Sequence, residues 1–208
     1  ASPVTLPGGS SRTSSVALDD VDGDGDVDIV FANVDAANQL LLGSSTGGFA
    51  EAVNLPGASR LGTYSVALGD VDGDGHLDIV FANNRMDLAP AQAAPNQLLL
   101  GRGNGTFAEP VDLPGGSMWT SSVALGDVDG DGYLDIVFAN DYAGANGSPG
   151  GPNQLLLGSS TGDFASPVTL PGGSSRTSSV ALDDVDGDGD VDIVFANVDA
   201  ANQLLLGS

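Results

Sequence analysis

The sequence predicts an all-β fold of repeated four-stranded sheets, a β-propeller or a segment of one, and three observations predict it. The stretch from Ala1 to Ser44 recurs without a change as Ala165 to Ser208. Between these copies lie two diverged relatives, anchored by SVALGDVDGDGHLDIVFAN from Ser65 and SVALGDVDGDGYLDIVFAN from Ser122. The apolar runs in every unit are short, rich in Val, Ile, Leu and Phe, and bounded by Gly, Asn, Asp, Ser or Pro, which is the pattern of strands joined by tight turns. The equivalent residues Asp20, Asp70, Asp127 and Asp184 are 50, 57 and 57 positions apart. That period suits one small sheet per unit rather than one domain per unit.

Taken in order, the first unit reads as four strands. SVAL, around Val16 to Leu18, enters an aspartate-rich loop that leads out into DIVFAN, Asp28 to Asn33; QLLLG, Gln39 to Gly43, and FAEAVNLP, Phe49 to Pro56, follow. The runs IVF and LLL are continuous rather than alternating, as expected of strands covered on both faces by neighbouring sheets. Residues 1–208 are thus expected to form a single repeat domain, with units at 8–56, 57–114, 115–171 and 172–208 plus 1–7. The chain opens on PVTLP, Pro3 to Pro7, and ends after a third strand, Gln203 to Gly207. The opening strand is therefore expected to complete the last sheet, which would remove the exposed sheet edges. A closed four-bladed ring, an eight-bladed ring shared by two chains and a slice of a longer array all satisfy this pattern.

Composition excludes several classes of partner. Lys+Arg number 5 against 28 Asp+Glu, for a net charge of −23. Nucleic acid binding and anionic membrane surfaces need basic residues that this chain lacks, so neither is an expected partner. No stretch is apolar and long enough to span a bilayer as a helix. The chain has no cysteine, so rigidity must come from packing, ring closure or metal ions. With neither an initiator Met nor an export signal, the sequence reads as a mature, excised or engineered piece.

The chemistry sits in the loop between the first two strands of each unit. It reads DVDGDGDVD at Asp20 to Asp28, DVDGDGHLD at Asp70 to Asp78, DVDGDGYLD at Asp127 to Asp135, and DVDGDGDVD at Asp184 to Asp192. Carboxylates at positions 1, 3, 5 and 9, with Gly at 4 and 6, suit a hard divalent cation that needs several converging oxygens in a sharp turn. The side-chain ligands are then Asp20, Asp22, Asp24 and Asp28; Asp70, Asp72, Asp74 and Asp78; Asp127, Asp129, Asp131 and Asp135; and Asp184, Asp186, Asp188 and Asp192. Position 7, held by Asp26, His76, Tyr133 and Asp190, would offer its backbone carbonyl, which frees its side chain to vary. About four Ca²⁺ per chain are expected. Calcium suits a flexible loop of many oxygens better than magnesium does, and zinc is disfavoured by the single His and absent Cys. The loop is not an EF-hand. Position 12, where an EF-hand has Glu, is Phe31, Phe81, Phe138 and Phe195.

On the DxDGDGxxDIVFAN core and the NQLLLG that follows, the chain resembles the FG-GAP or VCBS-type repeats of integrin α-chain propellers, fungal and bacterial propeller lectins and large bacterial surface proteins. The resemblance covers essentially the whole chain. It implies Ca²⁺ at the aspartate loops, between the innermost strand of each blade and the next. Propellers of that family commonly have seven blades, and this chain has four units.

Partner specificity is expected in the segments that vary, since loops carry function on a repeat scaffold. The connection between the second and third strands is VDAA in units one and four but NRMDLAPAQAAP after Asn83 and DYAGANGSPGGP after Asn140. The connection before the first strand presents Arg12, Arg60, Met118 with Trp119, and Arg176. Both should emerge opposite the aspartate loops, where Trp119 with Tyr142 would offer a sugar-stacking platform. No enzyme is expected, because the acids have a structural use and the lone His has no nucleophile beside it. Three readings remain: an extracellular structural or adhesive scaffold, a carbohydrate-binding propeller, and an engineered repeat without an evolved ligand. Glycans, other surface proteins and self-association are the expected partners. An extracellular or cell-surface location follows from loops that fill where calcium is millimolar.

Overall fold

The period-two alternation within DIVFAN decides the architecture, because successive side chains of a strand point to opposite faces. The computed structural model describes residues 2–8, 11–57, 62–84, 94–115, 118–143, 148–149, 151–172, 175–198 and 200–208. The first sheet runs β1 (Thr13–Asp19), β2 (Asp28–Asn33), β3 (Gln39–Leu41) and β4 (Val53–Asn54), each antiparallel to the next. The second repeats it as β5 (Thr63–Gly69), β6 (Asp78–Asn83), β7 (Gln97–Leu99) and β8 (Val111–Asp112). In the third, β9 (Trp119–Gly126) pairs with β10 (Asp135–Ala143), whose extended end also pairs with β11 (Ser148–Pro149). That sheet is completed by β12 (Gln154–Leu156) and β13 (Val168–Thr169). The fourth holds β14 (Thr177–Asp183), β15 (Asp192–Asn197) and β16 (Gln203–Leu205).

Three hydrophobic cores lie between consecutive sheets rather than within one. Val30, Ala32, Leu40 and Leu55 of the first sheet meet Val66, Ile79, Phe81 and Leu99 of the second. The same positions recur at the next junctions: Val80, Ala82, Leu98 and Leu113 meet Val123, Ile136, Phe138 and Leu156, and Val137, Ala139, Leu155 and Leu170 meet Val180, Ile193 and Phe195. Wherever a neighbouring sheet is present, therefore, Val and Ala of DIVFAN face the following sheet while Ile and Phe face the preceding one. This explains the continuous apolar run without any alternation of polar residues. Phe81, Phe138 and Phe195 are fully buried, and truncating such a residue to Ala costs about 3–5 kcal/mol.

A polar latch repeats beside each core. Thr63 Oγ1 donates to Asn83 Oδ1 of its own sheet at 2.9 Å and accepts from Asn38 Nδ2 of the preceding sheet at 2.9 Å. Thr120 and Thr177 repeat the arrangement, accepting from Asn96 and Asn153 at 3.0 Å. Register shifts at the start of β1 and within β9–β10 leave Ser14 and Ser121 unpaired in the ladder. Their hydroxyls reach across the junction instead, to the carbonyl oxygens of Thr63 and Thr177 at 2.6 and 2.5 Å.

Two expectations are corrected. The predicted fourth strand, Phe49 to Pro56, contracts to Val53–Asn54, because Phe49 makes an isolated bridge to Gly43 and Pro56 ends the run. More consequentially, residues 3–7 do not complete the last sheet: 2–6 form no strand, and β14-β15-β16 is left with three. The first strands pack in series, β1 on β5, β5 on β9 and β9 on β14, with no comparable packing from β14 back to β1. Val16 is 53% exposed where its counterpart Val180 is 8%, and Leu204 is 47% exposed where Leu155 is 8%. Among the described residues the four sheets form an open series with two uncovered ends.

Candidate metal centre

Each aspartate loop is shaped by its own carboxylates. Asp20 Oδ1 accepts from the Gly23 and Asp24 amides at 2.8 and 3.1 Å, and its Oδ2 accepts from Gly25 at 2.8 Å. Gly23 and Gly25 adopt φ of 76° and 91°, the left-handed region in which a side chain is strained. This coil brings Asp20 and Asp22 over Asp28, the first residue of β2. One carboxylate oxygen from each residue lies within 4.8 Å of the others, and so it is for Asp70, Asp72 and Asp78, for Asp127, Asp129 and Asp135, and for Asp184, Asp186 and Asp192.

The residue at position 9 is the anchor. Asp78 is fully buried, and its Oδ2 accepts from Val71 N–H at 2.8 Å while its Oδ1 accepts from Gly101 N–H at 2.7 Å. Asp28, Asp135 and Asp192 bind their equivalents Val21 and Gly43, Val128 and Gly158, and Val185 and Gly207 at 2.7–2.8 Å. These glycines, each two residues beyond a third strand, escape a reading for ligands because they act through backbone N–H. Their recurrence at the end of every NQLLLG is the signal that finds them. A Cβ on Gly101 would collide with the Leu77 carbonyl, so no other residue can bring its amide that close.

The structure redistributes the expected ligands. Positions 1, 3 and 9 converge, whereas Asp24, Asp74, Asp131 and Asp188 stand outside the clusters. Their Oδ1 atoms accept from the amides of position 7, namely Asp26, His76, Tyr133 and Asp190, at 2.8–3.0 Å. The His76 side chain is exposed, beside Gly103 of the same sheet. At the opposite end, β9 and β10 set Trp119 directly across from Tyr142. Arg176 of the fourth unit binds Asp141 of the third through two bonds of 2.7 and 3.3 Å. Arg60, residues 85–93 of the first long connection and residues 144–147 and 150 of the second lie outside the described residues.

A family model described as an FG-GAP-like repeat matches residues 20–81 and 82–138, more than half of the chain. The chain belongs to the FG-GAP-like repeat family. Among solved structures, these FG-GAP-like repeats are similar to an Agrocybe aegerita lectin that recognises non-reducing terminal N-acetylglucosamine, with 22% identity over 86% of this chain and 45% of that one, at a TM-score of 0.55. They are also similar to BBS1N, solved in complex with ARL6DN, with 13% identity over 96% of this chain and 55% of that one, at a TM-score of 0.58. The chain thus spans about half the length of these solved chains. At such identities the likeness is one of fold. No match was found among curated proteins.

The electrostatics of the FG-GAP loops follow first from burial of carboxylates and second from converging like charges. Burial pushes the Asp78 carboxyl up to about 6, against the pull of the Gly101 and Val71 amides, with Asp72 and Asp74 adding repulsion. Burial likewise raises Asp135, and burial with the Asp28 charge raises Asp22. In the last unit the balance reverses at the anchor, where the Gly207 and Val185 amides hold Asp192 below its ordinary value. The β7–β8 connection covers the first loop, with Gly105 beside Asp22, and Gly162 of the third sheet presses on Asp72 of the second. No described residue covers the loop at 184–192 in this way. Each of the four clusters among the described residues could hold a metal ion: its oxygens are held in place by amide donors and repel one another.

Proposed function

We propose that this protein is a calcium-stabilised extracellular scaffold whose repeated sheets present variable connections to a partner. The observation that carries the reading is the fourfold convergence of three carboxylates, each anchored by a buried aspartate that two backbone amides hold. Asp20, Asp22 and Asp28, with their counterparts in the other units, would hold the ion; positions 5 and 7 border it and supply further oxygens. Oxygen-only ligands on a flexible loop favour Ca²⁺ over Mg²⁺ or Zn²⁺. The ion would neutralise charge where the fold has concentrated it and would tie the turn before β2 to the end of β3. Four dications would bring the formal charge from −23 to −15. Loops lacking the bidentate Glu of an EF-hand suit the millimolar calcium found outside cells. The reading is non-enzymatic, since the clustered acids serve the loops.

Isothermal titration of the EGTA-treated, dialysed protein tests this directly. Binding of about four Ca²⁺ per chain is the expected result, and no heat of binding at millimolar calcium would sink the proposal. A second reading, that the scaffold binds glycans, is favoured by the register that sets two aromatic residue types, Trp119 and Tyr142, opposite each other on neighbouring strands. It predicts a hit on an array bearing terminal N-acetylglucosamine that W119A abolishes while leaving the calcium titration unchanged. Silence across the array would leave the scaffold reading alone.

A further inference from the structure

We infer that the uncovered face of the fourth sheet receives the first sheet of a second copy of this chain, whose residues 2–6 add the missing outer strand. The apolar contacts and the Asn–Thr and Ser–Thr bonds of the junction between the third and fourth sheets have both halves present, unjoined, at the two ends of the chain; the Arg176–Asp141 pair of that junction has only its arginine repeated, as Arg12, with Val198 in the place of the acid.

The apolar halves come first. At the third junction, Val137, Ala139, Leu155 and Leu170 meet Val180, Ile193 and Phe195. The counterparts of the first four are Val194, Ala196, Leu204 and Leu6; those of the last three are Val16, Ile29 and Phe31. All seven are the same residue types. Val194, Leu204, Leu6 and Val16 are exposed, although each counterpart is buried. An apolar face this regular at both ends of one chain is an interface awaiting its other half.

The polar halves match as well. Asn153 Nδ2 donates to Thr177 Oγ1 at 3.0 Å, and Ser121 Oγ donates to the Thr177 carbonyl. Asn202, Ser178 and Thr13 stand in the corresponding places, with no bond across a junction among the described residues. Val180 N–H reaches Ser122 Oγ at 3.4 Å; Val16 and Ser179 are the equivalent pair. The strand pairing is also prepared. β13 pairs Val168 with Leu155 and Thr169 with Gln154; Val4 and Thr5 belong to a segment identical in sequence to that of β13, and Gln203–Leu204 repeat Gln154–Leu155. Val4 is 85% exposed, so that segment is free to pair. Finally, the turn at 44–48 of an incoming copy would cover the loop at 184–192, as the β7–β8 connection covers the first loop.

The interface is heterologous, fourth sheet to first sheet, and it closes when two copies join at both ends into a ring of eight sheets. A chain closing on itself would use the same halves, and the test separates the two.

Light scattering coupled to size exclusion, in calcium, is expected to give twice the 20.6 kDa of one chain. L204D and V16D each spoil one face, and each alone is expected to run at the mass of one chain. Mixing them pairs the intact fourth sheet of V16D with the intact first sheet of L204D, and is expected to restore the doubled mass. Circular dichroism checks that each variant is folded. As a second measurement, T13C/N202C places two thiols in a chain with no other cysteine. A short bis-maleimide is expected to join separate chains, seen as bands at multiples of the chain mass on a denaturing gel. A wild-type mass of one chain at every concentration, a cross-link confined within one chain, or a mixture that stays at single mass while both variants remain folded would each overturn the proposal.

Discussion

Chelating calcium with EGTA is expected to lower the thermal midpoint by about 20–40 °C, or to abolish the cooperative transition altogether. A site filled at a hundredfold over its dissociation constant stabilises the native state by about 2.7 kcal/mol. Four such sites contribute about 11 kcal/mol, which is the size of the whole stability of an ordinary domain, about 5–15 kcal/mol. For a chain of this length each kcal/mol moves the midpoint by about 2–4 °C. The effect is large because the loops are not appendages: Asp28, Asp78, Asp135 and Asp192 are each bonded to the turn before the second strand and to the end of the third. Differential scanning calorimetry at matched ionic strength is the measurement. A midpoint indifferent to EGTA would mean that the aspartate loops are simply solvated turns.

Without calcium, acid is expected to stabilise the protein, and Asp78 should account for much of the effect. Its carboxyl titrates at about 6 in the folded chain against an ordinary 3.8. A folded-state value above the unfolded one means that the protonated form favours folding. That contribution is full below pH 3.8 and lost as pH rises through about 6. Asp22 and Asp135 shift in the same direction, while Asp192 opposes them. In EGTA the midpoint should therefore fall by several degrees from pH 4 to pH 7, and D78N should flatten the profile. In saturating calcium the order inverts, because ion binding requires the ionised carboxylates and weakens below about pH 6. There D78A is expected to cost several kcal/mol, since it leaves the Val71 and Gly101 amides without acceptors at about 1–3 kcal/mol each and removes a ligand. Thermal melts of both variants across pH, with and without calcium, check both halves. A flat wild-type profile in EGTA would count against a buried anchor carboxylate, repelled by its neighbours, as the governing feature of the loops.

The aspartate loops were legible because their geometry is local: nine residues carry both the ligands and the glycines that turn the chain. Strand identities were legible for the same reason. The role of position 5 was not, since whether Asp24 faces the cluster or caps the Asp26 amide depends on the coil of the loop rather than on residue type. Gly101 was missed because its contribution is an amide delivered from a strand 23 positions away. The Thr63–Asn38–Asn83 latch was missed because its three members become neighbours only after two sheets have packed. Pairing of residues 3–7 with the last sheet was expected from strand order, but the meeting of two ends depends on the angle accumulated over every junction, which no single residue encodes.

Register gives the sheets two unlike rims. Thr13 pairs with Asn33 at one end of β1 and Asp19 with Asp28 at the other, so the aspartate loops and the connections from second to third strand leave from opposite ends. The first rim is held to nine residues in all four units, whereas the second ranges from four residues to twelve. A change of length on the second rim touches no carboxylate of the aspartate loops and no amide that anchors one. The molecule can therefore diversify one side of itself, unit by unit, while the side that sets its stability stays constant, and a new binding surface need not be bought with a weaker fold.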